Sequence, residues 1–471
     1  MDLVIYNGTI LTMSKESARA VSVDRGRIQS MEKAQASQEI DLEGKTLIPG
    51  FIDCHTHFKS MGMKLFNVDL SRTASADQAI ALLEKKASRT EKGKWILGFS
   101  WDESFWSERR FLTPEDLSGI ENPVCAIRVD GHMAVLNEAA QKELGVQQGY
   151  LYEDELFRLY SRLPEEDTEK ALEAALELAH HEGVTSIHDN PMDVKTFLFY
   201  QKRKDPTLRI YVNLPVSVLD EVNQIRLRTG FGNEWLKFGG IKIFTDGSIG
   251  AKTAAMSFNY RNEDNNGLLV YTDSELLDIM KRAYPNQVAV HAIGDRAIQQ
   301  VITCSQRGGR NRIEHAELVR DDQIPLIKEL GLILSMQPNF LQWSHPDGLY
   351  DIRFGTGIDN RFQLLKKAGI PLVFGSDCMP FSPLYGIEQV LKAPFEEQRL
   401  SIKDALAMYT RNGAVASFEE NIKGTIKKGN LADFVILSED PREVDISKIA
   451  VEMTIVGGKV VYSNEGLDSH E

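Results

Sequence analysis

Residues 47–58 read Leu-Ile-Pro-Gly-Phe-Ile-Asp-Cys-His-Thr-His-Phe, a short apolar run closed by His55 and His57 with one residue between them. On a β-strand, residues i and i+2 point to the same side, so the two imidazoles face one point. Two converging neutral imidazoles form half of a site of the kind zinc prefers. The pair alone is a weak sign. Its weight comes from the polar residues that end later apolar runs.

Outward from this stretch, apolar runs alternate with helical patterns. With Phe51–His55 as the first, the runs Thr185–His188, Arg209–Leu214, Ile241–Phe244, Val288–His291, Arg312–His315, Leu332–Met336 and Pro371–Ser376 make eight candidate strands. Eight is the number a (β/α)8 TIM barrel needs, so an α/β barrel over 49–417 is expected. Helices are predicted over Glu169–Glu182, ended by Gly183, over Asp273–Tyr284, and over Pro325–Leu330, where proline suits a helix start. Residues 60–165 do not fit one strand–helix unit. They hold two further strand-like runs, Trp95–Phe99 and Val124–Val129. This block reads as an insertion after the first barrel strand that caps the site, since long barrel loops lie over the active face. The rival reading makes one of those runs a barrel strand.

Both ends of the chain are strand-rich. Leu3–Tyr6 and Thr9–Met13 flank the turn Asn7-Gly8, while Ala432–Leu437 and Met453–Val456 precede a hairpin turn at Gly457-Gly458. Residues 1–48 and 418–471 are therefore expected to build one small β-sandwich domain together. A net charge of −14 makes nucleic acid or an anionic membrane surface an unsuitable partner. No apolar run is long enough to span a bilayer, and the N-terminal residues lack a basic region followed by an apolar core. The four cysteines, Cys54, Cys125, Cys304 and Cys378, are scattered, which argues against a disulfide scaffold or a thiolate metal site. A cytoplasmic protein is expected.

The chemistry sits where the runs end. His55 and His57 close the first, Lys242 lies in the fourth, His291 closes the fifth and His315 the sixth, and Ser376-Asp377 follow the eighth. Barrel enzymes place their sites at this C-terminal face. Singly, each residue has a plain structural explanation: a core histidine, a lysine reaching to water, an aspartate capping a turn.

Seven motifs come in order along nearly the whole chain: Pro-Gly-Phe-Ile-Asp-Cys-His-Thr-His (49–57), Arg-Val-Asp-Gly-His-Met-Ala-Val-Leu-Asn (128–137), Lys-Ile-Phe-Thr-Asp-Gly-Ser (242–248), Val-His-Ala-Ile-Gly-Asp-Arg-Ala (290–297), Arg-Ile-Glu-His-Ala (312–316), Met-Gln-Pro (336–338) and Gly-Ser-Asp (375–377). On these the chain resembles the amidohydrolase superfamily of metal-dependent hydrolases, closest to the branch that includes N-substituted formamide deformylase. The resemblance implies a centre of one or two zinc or other divalent ions. It makes His55 and His57 ligands of the more buried metal, and Lys242 an N-carboxylated bridge between two metals. His291 and His315 become ligands of the second metal, and Asp377 both a ligand and the general base and acid that works with metal-activated hydroxide.

The expected reaction is hydrolysis of a non-peptide C–N bond in an amide, N-substituted formamide or cyclic amide, with a small molecule as partner. Deamination of a heterocycle on the same scaffold is the rival enzyme reading, and a catalytically silent regulatory or binding member the rival outside enzymes. For substrate contacts the candidates are His132 in the insertion, Trp101 as an aromatic wall, and Gln337 at the end of the seventh run. Asp246 and Asp295 follow site strands, where capping explains them equally well. A homodimer is compatible with the resemblance, but no interface signature is legible.

Overall fold

The computed structural model describes residues 1–152, 155–156 and 165–464, with only the backbone of 165–167. Residues 153–154 and 157–164 of the expected insertion, and 465–471 at the end of the expected β domain, lie outside the described residues. Eight strands form one sheet: β1 Phe51–Thr56, β2 Val184–Asp189, β3 Arg209–Pro215, β4 Leu236–Phe244, β5 Gln287–Ala292, β6 Arg312–His315, β7 Ile333–Met336 and β8 Leu372–Phe374. Spatial order follows chain order, and all seven pairings are parallel. Each strand matches one of the eight apolar runs. Parallel strands covered on both faces read as nearly continuous apolar segments, which is why these stood out.

The sheet curls until its ends meet above β1. Asp377 N donates to His55 O at 2.9 Å. The Asp53 carboxylate accepts from Ser376 N at 2.9 Å and from His55 N at 3.1 Å. A side chain at Gly375 would put its Cβ 2.3 Å from His55 N, so glycine is what lets the two strands approach. This nearly closed sheet surrounded by helices is the (β/α)8 barrel arrangement.

The helices begin and end where local chemistry directs. Asp273–Ala283 opens on a capping box between Thr272 and Glu275. Ile324–Leu330 carries Pro325 in its first turn and ends on left-handed Gly331. The helix expected at Glu169–Glu182 spans Glu165–His181. Helix α1, Phe58–Phe66, starts directly after His57.

The runs Trp95–Phe99 and Val124–Val129, which form the strands Ile96–Trp101 and Val124–Arg128, are not barrel strands. They pair in parallel inside a separate five-stranded sheet with Val68–Asp69, Met133–Leu136 and Tyr150–Tyr152. Near the termini, a four-stranded and a five-stranded sheet share one apolar core, with Ile5, Val21 and Val23 from the first meeting Leu47, Phe434 and Ile455 from the second. The segments around Asn7-Gly8 do not form a hairpin. Leu3–Tyr6 joins the first sheet and Thr9–Ile10 the second, because Asn7, at φ 62°, turns the chain from one layer to the other. The hairpin at Gly457-Gly458 is present, pairing Val456 with Lys459. All four cysteines are buried and unbridged. Among the described residues no helix is long and apolar enough to cross a membrane.

Candidate metal centre

His55, Lys242, His291, His315 and Asp377 are all buried at the C-terminal mouth of the barrel, and His57 is partly exposed. The imidazole rings stand close together, with centroids 5.5 Å apart for His55–His57, 4.7 Å for His55–His315 and 4.5 Å for His291–His315. One nitrogen or oxygen atom from each of His55, His315 and Asp377 lies within 4.8 Å of the others. Asp377 Oδ1 is 3.7 Å from His55 Nε2 and 3.6 Å from His57 Nε2, and Lys242 Nζ is 3.4 Å from His55 Nε2.

Each imidazole has one nitrogen committed elsewhere. His55 Nδ1 hydrogen-bonds the Glu314 carboxylate. His57 Nδ1 donates to Asn190 O at 2.9 Å, His291 Nε2 to Gly247 O at 3.0 Å, and His315 Nδ1 to Gln337 Oε1 at 2.8 Å. All four partners are acceptors, so the bonded nitrogen carries the proton and the other keeps its lone pair. His291 Nδ1 is buried and has no hydrogen-bond partner. A buried acceptor left bare is costly unless something else takes its lone pair, and metal-ligating histidines are oriented by just such partners on the far nitrogen. The residues fit a divalent cation.

Burial, with the nearby Lys242 charge, holds His55 well below the ordinary histidine range and His57 at about 3. Burial and neighbouring imidazoles do the same for His291 and His315. The site therefore presents neutral imidazoles, the form that binds metal. Burial also pushes Lys242 below and Asp377 above their ordinary values. The backbone bends hard here. His315 (φ 71°) and Ala316 (φ 50°) end β6 in the left-handed region, and Asp377 (φ 49°) and Cys378 (φ 61°) do so beyond β8. Such strain in non-glycine residues persists only where surroundings enforce it, and it concentrates at functional sites.

The three expected substrate contacts fare differently. His132 reaches the site, its ring 5.0 Å from that of His291, and lines a cavity of about 50 Å³ with His57, Lys64, Phe244, Asp377 and Met379. Trp101 does not. It is buried in the core of the inserted sheet, stacked 5.7 Å from Trp106, with its Nε1–H spent on Ala126 O. Gln337 reaches the site as the partner of His315 Nδ1 and donates to Ser335 O, which leaves it orienting a histidine. Glu314 escaped sequence reasoning because a single glutamate before a histidine carries no distinguishing pattern. Its place two residues after Arg312 on β6 was the available signal, since that spacing puts both inside the barrel. Asp246 is more than a cap: its carboxylate accepts from Ala255, Ile293 and Gly294 amides and lies 3.5 Å from His291 Nε2. A groove of about 640 Å³ lies away from the histidines and is lined by Leu172, Tyr200, Ile210 and Trp235.

Residues 38–462 match the model of the amidohydrolase family. The chain is 30% identical to Protein LONG AFTER FAR-RED 3 of Arabidopsis thaliana, an alignment covering 98% of this chain and 91% of that protein. It is 24% identical to the N-substituted formamide deformylase of Arthrobacter pascens over 99% of both. The crystal structure of an uncharacterized metal-dependent hydrolase from Pyrococcus furiosus superposes with a TM-score of 0.75 at 28% identity, covering 94% of this chain and all of that one. The chain belongs to the amidohydrolase family.

Proposed function

We propose that the protein is a metal-dependent hydrolase of a non-peptide C–N bond, in an amide, an N-substituted formamide or a cyclic amide. The observation that carries this reading is the set of four histidines, each with one nitrogen tied to an acceptor, facing Lys242 and Asp377 across a buried space. In this reading His55, His57, His291, His315 and Asp377 would hold the divalent metal, one ion or two. Lys242 would add an oxygen donor as its N-carboxylate. Burial favours its neutral amine, the form that adds to carbon dioxide, and the carbamate replaces a costly buried ammonium with an anionic oxygen donor. When bound, the metal supplies Lewis acidity and lowers the pKa of water from roughly 16 to about 7.

The protein's own groups do the rest. Asp377 Oδ1 accepts the proton of the attacking water and returns it to the leaving nitrogen. The inserted sheet closes the cavity over the reacting atoms through Ile127, Val129 and His132. The similarity to N-substituted formamide deformylase favours formamides as first substrates to try. The test is product analysis with zinc-loaded protein on a series of N-substituted formamides and amides. Carboxylate plus amine, lost on chelation, supports the reading. Ammonia released from a heterocycle would favour deamination, and no turnover of any of them would count against both.

A further inference from the structure

We propose that Lys64 recognises an anion, and that the substrate carries a carboxylate on the part of the molecule remote from its scissile bond. The proposal rests on the hydrolase reading above and names a feature of that site's substrate.

Helix α1 leaves the metal centre directly, and the spacing of His57, Ser60, Met61 and Lys64 puts all four on one face. All four line the cavity. Lys64 stands seven residues beyond His57, about 10 Å along the helix axis at 1.5 Å per residue. It is half-buried, and its charge is felt at His57, Asp377 and Cys378.

Among the described residues, what sets Lys64 apart is its lack of a counter-charge. One turn earlier, Lys59 is paired with Asp193 at 3.0 Å. Arg128, the other cation lining the cavity, is held by Glu103 at 3.0 Å and by Asp130 at 2.7 Å. Asp130 is further engaged by Ser248 Oγ at 2.6 Å, so it is not available to Lys64. Among the described residues no carboxylate lies in ion-pair reach of the Lys64 ammonium. The same cavity is lined by apolar Met61, Ile127, Val129, Met192, Phe244 and Met379, beside polar Ser60 and the paired Arg128 and Asp130. A cation about 10 Å along the helix from a hydrolytic centre, in one cavity with apolar side chains, matches an amide on a short alkyl chain that ends in a carboxylate.

The probes are 4-formamidobutanoate and 6-formamidohexanoate, each compared with its neutral N-methylamide on zinc-loaded protein. For at least one chain length the acid is expected to exceed its neutral partner in kcat/KM by roughly tenfold, the size of one charge-assisted hydrogen bond. Lys64→Met should bring that ratio near one, Lys64→Glu should invert it, and Lys64→Arg should keep it. The same ratio in wild type and Lys64→Glu overturns the proposal. If nothing is hydrolysed, titration calorimetry on the same pairs decides it separately. A preference for the acid that Lys64→Glu reverses upholds anion recognition while refuting amide hydrolysis. Equal binding of acid and amide, or no binding of either, overturns anion recognition itself.

Discussion

At Asp377 three constraints meet on one residue. Its amide closes the barrel onto His55 O, its backbone is left-handed, and its carboxylate is buried against two histidines. Asparagine preserves shape and removes the proton acceptor, so Asp377→Asn is expected to lower kcat by about 10²–10⁴ with an unchanged circular dichroism spectrum. Near-normal kcat on any substrate of the wild type would refute its role. Gln337 acts one step further out, through His315. Gln337→Leu frees that ring to rotate and change tautomer, and is expected to weaken metal affinity about ten- to a hundredfold in a competitive chelator titration. The ligand-type residues were legible because histidine and lysine seldom end apolar runs by accident. Gln337 and Glu314 were not legible in their actual role, since the bond each makes joins strands 22 and 259 residues apart in sequence.

The elements show the same division between pattern and partner. All eight barrel strands were legible, because burial on both faces writes a continuous apolar run whatever the neighbouring strand is. The inserted sheet showed two of its strands, but not what fastens it to the barrel mouth. Trp101 misled because an aromatic in a core and one on a cavity wall look alike in sequence. The fastening is polar. Arg128 forks onto Glu103, which Arg353 of a barrel loop grips at 2.7 Å, while Trp343 Nε1 donates to Asp102 at 2.8 Å. Arg128→Met strips buried Glu103 and Asp130 of their shared partner. It should cost about 3–5 kcal/mol in denaturant unfolding, since breaking one side of a buried pair leaves charge uncompensated. A loss below 1 kcal/mol would mean that the insert is held mainly by its apolar contacts.

Across the whole molecule, one buried cluster ties the chain after the last barrel helices back to the strands. Glu419 bonds Lys237 of β4 and Lys423, both at 2.6 Å, and Lys423 reaches Ser186 of β2 at 2.7 Å. Burial raises the Glu419 carboxyl, but the two ammonium groups overcome it and hold the group at about 2. A folded-state pKa below the unfolded value of 4.5 stabilises the protein above about pH 4.5, and that stability is lost as pH falls toward 2. The shift corresponds to roughly 3 kcal/mol. Glu419→Gln should therefore unfold more easily at pH 7, with the gap to wild type narrowing as pH drops below 4.5; a gap that does not change with pH would assign the loss to packing instead.

The account as a whole depends on a divalent ion held by residues from four barrel strands, β1, β4, β5 and β6, and the turn beyond β8. The most direct test is metal content per chain by elemental mass spectrometry, on protein purified without chelator, for wild type and for a His55→Ala, His291→Ala double variant. One or two equivalents of zinc or a similar ion in wild type, falling to less than half in the variant, is the predicted result. A folded wild-type protein that holds no metal and takes up no added zinc would contradict it.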